Sequence, residues 1–269
     1  MAIDWFESWK HVDRVVIGML HLPALPGAPS YSGDWRKARE SLLSDVHVLT
    51  AGGVDGLMME NFGDVPFYPG RVPVYVATVM TALAMEVRRA SDLPLGINVL
   101  RNDGQTALAV AHAVGAEFIR VNVLCGARVA DQGVLQGIAH DLLRERARLG
   151  AANVKIMADV DVKHSAPLAV RPIADEVDDT LERGLADALV VSGAGTGKTT
   201  DLQKVRDVKA AAANRAPVFI GSGITAQSVR SYFDAADGFI VGTALKRDGV
   251  ASAPVDPERV EQLMRAVGR

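Results

Sequence analysis

The chain has 269 residues, 49% of them hydrophobic, with a formal charge of −3 at pH 7 and a single cysteine. That apolar content fills one large domain, taken here as 1–269, and the interspersed charges leave no basic footprint for nucleic acid. Cys125 alone cannot close an internal disulfide, MAIDWFESWK is no secretory leader, and no apolar run reaches the roughly 18 residues of a membrane helix, so a cytoplasmic protein is expected.

Short β-branched runs alternate with longer amphipathic ones along the whole chain. The strand candidates are 14–22 (RVVIGMLHL), 54–61 (VDGLMMEN), 93–100 (LPLGINVL), 116–124 (AEFIRVNVL), 153–162 (NVKIMADVDV), 186–193 (ADALVVSG), 216–223 (APVFIGSG) and 236–243 (ADGFIVGT). Helical period marks 35–53, 74–90, 105–116, 134–150, 173–184, 201–212 and 256–267, the last capped by Asp256 with Pro257 at its first position. Continuous apolar strands joined through helices are the mark of parallel pairing buried on both faces. Eight such units in this length predict a single (β/α)8 TIM barrel, whose active-site face is built by the loops that follow the strands.

Taken in order, those strand ends carry polar groups beyond the needs of packing. His21 ends the first. Glu60 and Asn61 end the second, Asn98, Arg101 and Asn102 the third, and Arg120 and Asn122 lie on the fourth. The loop after the second strand, NFGDVPFYPGRVP, holds Phe62, Phe67, Tyr68 and Arg71 and reads as a lid or a homo-oligomer contact. In the fifth strand, period-two geometry sets Asp159, Asp161 and Lys163 on one face toward the barrel mouth, with His164 beside them as a proton shuttle or supporting partner. Such a set is a structural ion pair or a catalytic one, in which desolvation readies the lysine for acid/base or Schiff-base work. Glu60 with Asp159 or Asp161 is also a candidate holder of a divalent cation, although residues from separate strands offer no spacing to test it; no cofactor is otherwise indicated. Cys125 has no base near it in sequence and reads as structural.

The sixth strand runs into SGAGTGKTT, which looks like a P-loop. A strict P-loop needs glycine at 192, where this chain has Ser192, and Thr200-Asp-Leu-Gln203 reads as a capping box that starts the helix after Lys198. Thr196 and Lys198 are therefore expected in a substrate loop, with a nucleoside triphosphatase as the lesser alternative. The seventh and eighth strands end in Gly221-Ser222-Gly223 and Gly242-Thr243. Bare backbone there suits a phosphate, with the Ser222 and Thr243 hydroxyls as further donors.

With VIGMLHLPALPGAP, DGLMMENFGDVPF, MADVDVKHSAP and SGAGTGK in place, the chain resembles the BtpA/SgcQ family over about residues 13–248. The resemblance implies a TIM barrel and a link to photosystem I biogenesis through the family's cyanobacterial namesake. It also implies members in organisms that do not photosynthesise, a spread that favours a metabolic enzyme, and it carries over no catalytic residues. The expected function is a lyase, isomerase or hydrolase acting on a small phosphorylated carbohydrate or related metabolite, with a non-catalytic photosystem I assembly factor as the alternative.

Overall fold

A computed structural model describes residues 5–193 and 199–269. Eleven strands are present among them: β1 (Val15–His21), β2 (Gly56–Glu60), β3 (Leu95–Asn98), β4 (Phe118–Val121), β5 (Ala127–Ala130), β6 (Gly133–Gln136), β7 (Lys155–Val160), β8 (Ser165–Pro167), β9 (Ala188–Val191), β10 (Val218–Ile220) and β11 (Gly238–Val241). The order β1-β2-β3-β4-β7-β9-β10-β11 closes on itself as a barrel with every pair parallel. These are the eight strands anticipated from the sequence.

The helices are α1 (Trp35–Ala51), α2 (Val74–Ala90), α3 (Gly104–Val114), α4 (Ala139–Arg148), α5 (Ile173–Asp178), α6 (Leu202–Ala212) and α7 (Pro257–Ala266). Asp34, Asp103, Asp201 and Asp256 cap four of them by accepting a first-turn amide hydrogen, which satisfies donors that no helical carbonyl can reach. The cap of α6 is thus Asp201, one residue later than the expected Thr200. Thr200 instead donates its hydroxyl to the Ser222 carbonyl at 2.8 Å, tying the sixth loop to the seventh.

Two stretches depart from the simple repeat. The 134–150 segment, expected to be one helix, begins as β6 and becomes helical only at Ala139. β5, β6 and β8 form a small antiparallel sheet beside the mouth, and Gly126 and Gly133, with φ of 73° and 95°, flank β5. Between β10 and β11 the only helical piece is a 3-10 turn at Val229–Tyr232.

The apolar mass lies in two layers. One is the annulus between strands and helices, including Leu20, Leu57, Val87, Ile119 and Val205. The other fills the barrel axis with Ile17, Met58, Phe118, Met157, Phe219 and Ile240, and is closed at its base by Trp9 with Trp5 and Phe6. Packing at the base leaves the strands' C-terminal ends as the place for a site.

Candidate active site

The loops after β10 and β11 enclose a cavity of about 270 Å³, lined by Gly221, Ser222, Gly223, Gly242, Thr243 and Ala244 together with His21, Glu60 and Lys163. A Cβ at Gly221 would lie 2.8 Å from Nη2 of Arg120, and one at Gly242 would lie 2.8 Å from Cε1 of His21. Those two glycines therefore admit neighbouring side chains to the floor of the cavity, an additional reason for bare backbone beyond the expected approach of an anion. Gly223 has φ of 74°, a conformation that disfavours any side chain. Among the described residues, no protein acceptor takes the amides of Gly223, Thr243 and Ala244. Ser222 Oγ accepts from the Gly193 amide at 2.9 Å, and Thr243 opens the short turn Thr243–Leu245. Arg259 and Gln262 reach the same cavity from α7. Sequence reasoning missed both, because nothing local shows that the last helix packs beneath the last strand loop.

The fifth barrel strand, β7, divides its charges differently from the alternation expected. Asp159 is inside the barrel and fully engaged: Arg120 donates to it at 2.7 and 2.8 Å, Asn122 at 2.9 Å and the Ser192 hydroxyl at 2.9 Å. Burial works against the Arg120 charge, but Asp159 outweighs it and raises the guanidinium pKa. Asp161 does not share this face. The strand ends at Val160, Asp161 takes φ of 51°, and its carboxylate turns outward to Arg128 and to Lys204, the latter at 2.5 Å. Burial would raise the Asp161 pKa, and these cations more than reverse it. Asp161 is thus an anchor for the turn that follows and no direct partner of Lys163.

Past that turn a second cavity of about 500 Å³ is walled by Phe62, Val65, Phe67 and Leu100, with Arg101, Asn122, Asp131 and His164 on its polar side. Glu60, Phe62, Arg120 and Lys163 line both cavities, so the two are lobes of one mouth with Lys163 between them. Burial, helped by the Arg120 and Arg101 charges, lowers the Lys163 pKa, and Glu60 and Asp159 partly oppose it. His21 stacks on Phe62 with ring centres 4.5 Å apart, and its Nδ1 lies 3.1 Å from the Ala251 carbonyl oxygen. Burial holds the His21 pKa below its ordinary value, so the ring is neutral at pH 7. Through Phe62 and Phe67 the loop after β2 supplies a wall of the second lobe.

The remaining candidates divide between ligand-facing and bracing roles. Asn61 accepts from the Leu100 amide at 2.7 Å and donates to Asp64 at 3.0 Å, which uses it to pin two loops rather than to face the lobes. Asn98 donates to the Arg120 carbonyl at 2.9 Å and lies below the mouth, while Asn102 braces Val123 and Gln136. Cys125 donates to the Asp179 carbonyl, and burial pushes its thiol up to about 11, so no thiolate forms at neutral pH. The divalent-cation expectation fails on its ligands. Asp159 and Asp161 are committed to cationic side chains, and no cluster of three His, Cys, Asp or Glu suited to a metal occurs among the described residues. Thr196 and Lys198 lie outside the described residues. Ser192, the residue that spoils the P-loop spacing, spends its hydroxyl on Asp159.

The sequence matches the BtpA family over residues 12–269. It is 42% identical to the photosystem I biogenesis protein BtpA of Synechocystis sp. over 98% of this chain and 91% of that protein. An uncharacterised protein of Thermococcus kodakarensis is 45% identical over 93% of this chain and 94% of its own length. Among solved structures, N-(5'-phosphoribosyl)anthranilate isomerase from Pyrococcus furiosus superposes with a TM-score of 0.59 at 15% identity, covering 94% of this chain and 98% of that one, a likeness of fold. No helix among the described residues is long and apolar enough to cross a membrane.

Proposed function

The chain belongs to the BtpA family, and from that premise we propose that it is an enzyme acting on a small phosphorylated carbohydrate or related metabolite. The observation that carries this reading is the position of Lys163, shared by a lobe floored with uncommitted amides and a lobe with apolar walls. A fold neighbour named for a phosphoribosyl substrate supports the same chemistry by analogy.

In this reading the amides of Gly223, Thr243 and Ala244, assisted by Arg259, hold the phosphate, and its binding energy fixes the rest of the substrate across Lys163. The neutral amine takes a proton from carbon beside a carbonyl, or adds to that carbonyl and loses water to form an imine. Glu60, on the same boundary, stabilises the ammonium that results from proton transfer, and neutral His21 is placed to donate or accept at the substrate oxygen.

The test is a thermal-shift and calorimetric titration with inorganic phosphate, sugar phosphates and ATP. Stabilisation by phosphate and its esters is expected, with ATP no better than phosphate alone; ATP-specific stabilisation would favour nucleotide hydrolysis. Borohydride trapping at Lys163 with a bound keto or aldehyde ester tests the imine. The name of the Synechocystis relative motivates a second reading, an assembly factor with the barrel as scaffold. It requires Lys163→Ala to leave the cellular role intact, whereas the enzyme reading requires that role to be lost with the fold preserved.

A further inference from the structure

Arg101 is 4% exposed, lies on the second lobe and forms no salt bridge among the described residues. Its Nη2 donates to the Lys163 carbonyl at 2.5 Å, which orients the guanidinium and leaves the rest of its donor fork over the lobe. The carboxylates in range cannot neutralise it closely. Asp159 is held on both oxygens by Arg120, Glu60 sits at the boundary with Lys163, and Asp131 is at the exposed rim. A buried cation without a bound counter-ion is costly, and the cost is removed when a ligand brings the anion.

A second unmet group lies on the same wall. Asn122 is 2% exposed and its Oδ1 has no hydrogen-bond partner. The amide cannot be turned to relieve this, because Asp159 is an acceptor and requires the Nδ2 side at 2.9 Å. An unpaired acceptor and a cation without an ion-pair partner line the same lobe, between the apolar wall of Phe62, Val65, Phe67 and Leu100 and the polar groups Glu60, Lys163, His164 and Asp131, and together describe a receptor for a specific end of a molecule.

We propose, building on the phosphate reading above, that the substrate is a phosphorylated acid whose carboxylate is held by Arg101 in the second lobe, with an adjacent hydroxyl donating to Asn122 Oδ1. One planar guanidinium matches one planar, singly charged carboxylate. Arg120 is already paired with Asp159 and Lys163 faces the reactive carbons, so a second phosphate would bring a dianion to Arg101 against apolar walls, with Asp131 at the edge. The substrate then spans the mouth, anion to anion, with its reactive carbons over Lys163.

The test compares esters that differ only at this end: 6-phosphogluconate against sorbitol 6-phosphate, and 3-phosphoglycerate against glycerol 3-phosphate, titrated by calorimetry with inorganic phosphate as reference. In the unaltered protein at least one acid is expected to bind about tenfold or more tightly than its polyol, the gain of a charge-assisted pair. Arg101→Gln should erase that preference, Arg101→Lys should keep part of it, and both should bind inorganic phosphate as before. Equal affinity within both pairs, or a preference that survives Arg101→Gln, overturns the carboxylate assignment and leaves the phosphate site standing. Failure of inorganic phosphate and every ester to bind overturns the phosphate site and this inference with it. If Arg101→Gln does not fold, Arg101→Lys decides the matter: a reduced preference supports the assignment and an unchanged one overturns it.

Discussion

Burial and the charge of Arg120 press on the Lys163 ammonium, and Glu60 and Asp159 only partly offset them, so the folded chain binds a proton there less readily than the unfolded one. Between the lowered folded pKa and the 10.5 of a free lysine, the unfolded state carries the extra proton. Stability therefore falls as pH drops through that window, and below it the whole penalty is present. Lys163→Met should accordingly raise Tm at pH 7, with the gain vanishing above the free-lysine pKa, while turnover falls about 10²- to 10⁴-fold. For the enzyme proposed above, kcat/KM of the unaltered chain should rise with pH as the neutral amine forms. A Tm that falls at pH 7 would mean that the ammonium is a net stabiliser and that Lys163 is no base. Lys163 was legible as an unusual charge at a strand end. Arg101 and Asn122 were legible only as polar residues at other strand ends, since an unpaired guanidinium or an orphaned amide oxygen exists only once five strands have converged.

At the scale of elements, the turn that follows β7 aims the lysine. Asp161 and His164, with φ of 51° and 57°, both occupy the left-handed region on either side of Val162 and Lys163, and such geometry persists only where the surroundings enforce it. The enforcing contacts are outside the barrel. Arg128 from β5 and Lys204 from α6 hold the Asp161 carboxylate, and Glu176 from α5 accepts from the Asp161 amide at 2.8 Å. The alternation of an extended strand put Asp159, Asp161 and Lys163 on one face; the rule held to Val160 and failed where the chain left the sheet, which no periodicity reports. Arg128 was equally hidden, because β5 fell between the elements read from the sequence and its partner β6 ran into a stretch with helical composition. Asp161→Asn should loosen the turn, lower kcat about tenfold or more through misplacement of Lys163, and shift the lysine limb of the pH profile. Inorganic phosphate affinity should be unchanged, since the amides proposed to bind it belong to the loops after β10 and β11. A purely structural role for Asp161 would lower Tm without moving the pH profile.

For the whole molecule, the barrel separates what stabilises from what binds. Its order, its closure and the glycine-rich turns after β10 and β11 followed from eight apolar runs and their glycines, because parallel strands need both faces covered and so betray themselves by composition. Its base did not. The aromatic start of the chain read only as unlike a leader peptide, yet Trp9 is fully buried against Phe118 and Phe6, its indole N–H donating to the Asp55 carbonyl at 2.7 Å. Gly56 leaves room for it, since a Cβ there would lie 3.0 Å from the Trp9 ring. Nothing in local sequence indicates that an N-terminal segment will cross under a barrel whose strands are still to come. Removing that ring opens the apolar axis to water at the end opposite the site, and a buried tryptophan cut to alanine costs about 3–5 kcal/mol. Trp9→Ala should therefore lower the denaturant midpoint with little change in m, while the Kd for inorganic phosphate, measured where the variant is still folded, stays within about twofold, because one axis of packed side chains separates the two ends. A large loss of phosphate affinity in folded Trp9→Ala would show that plug and mouth are coupled, and the division of labour between base and rim would have to be abandoned.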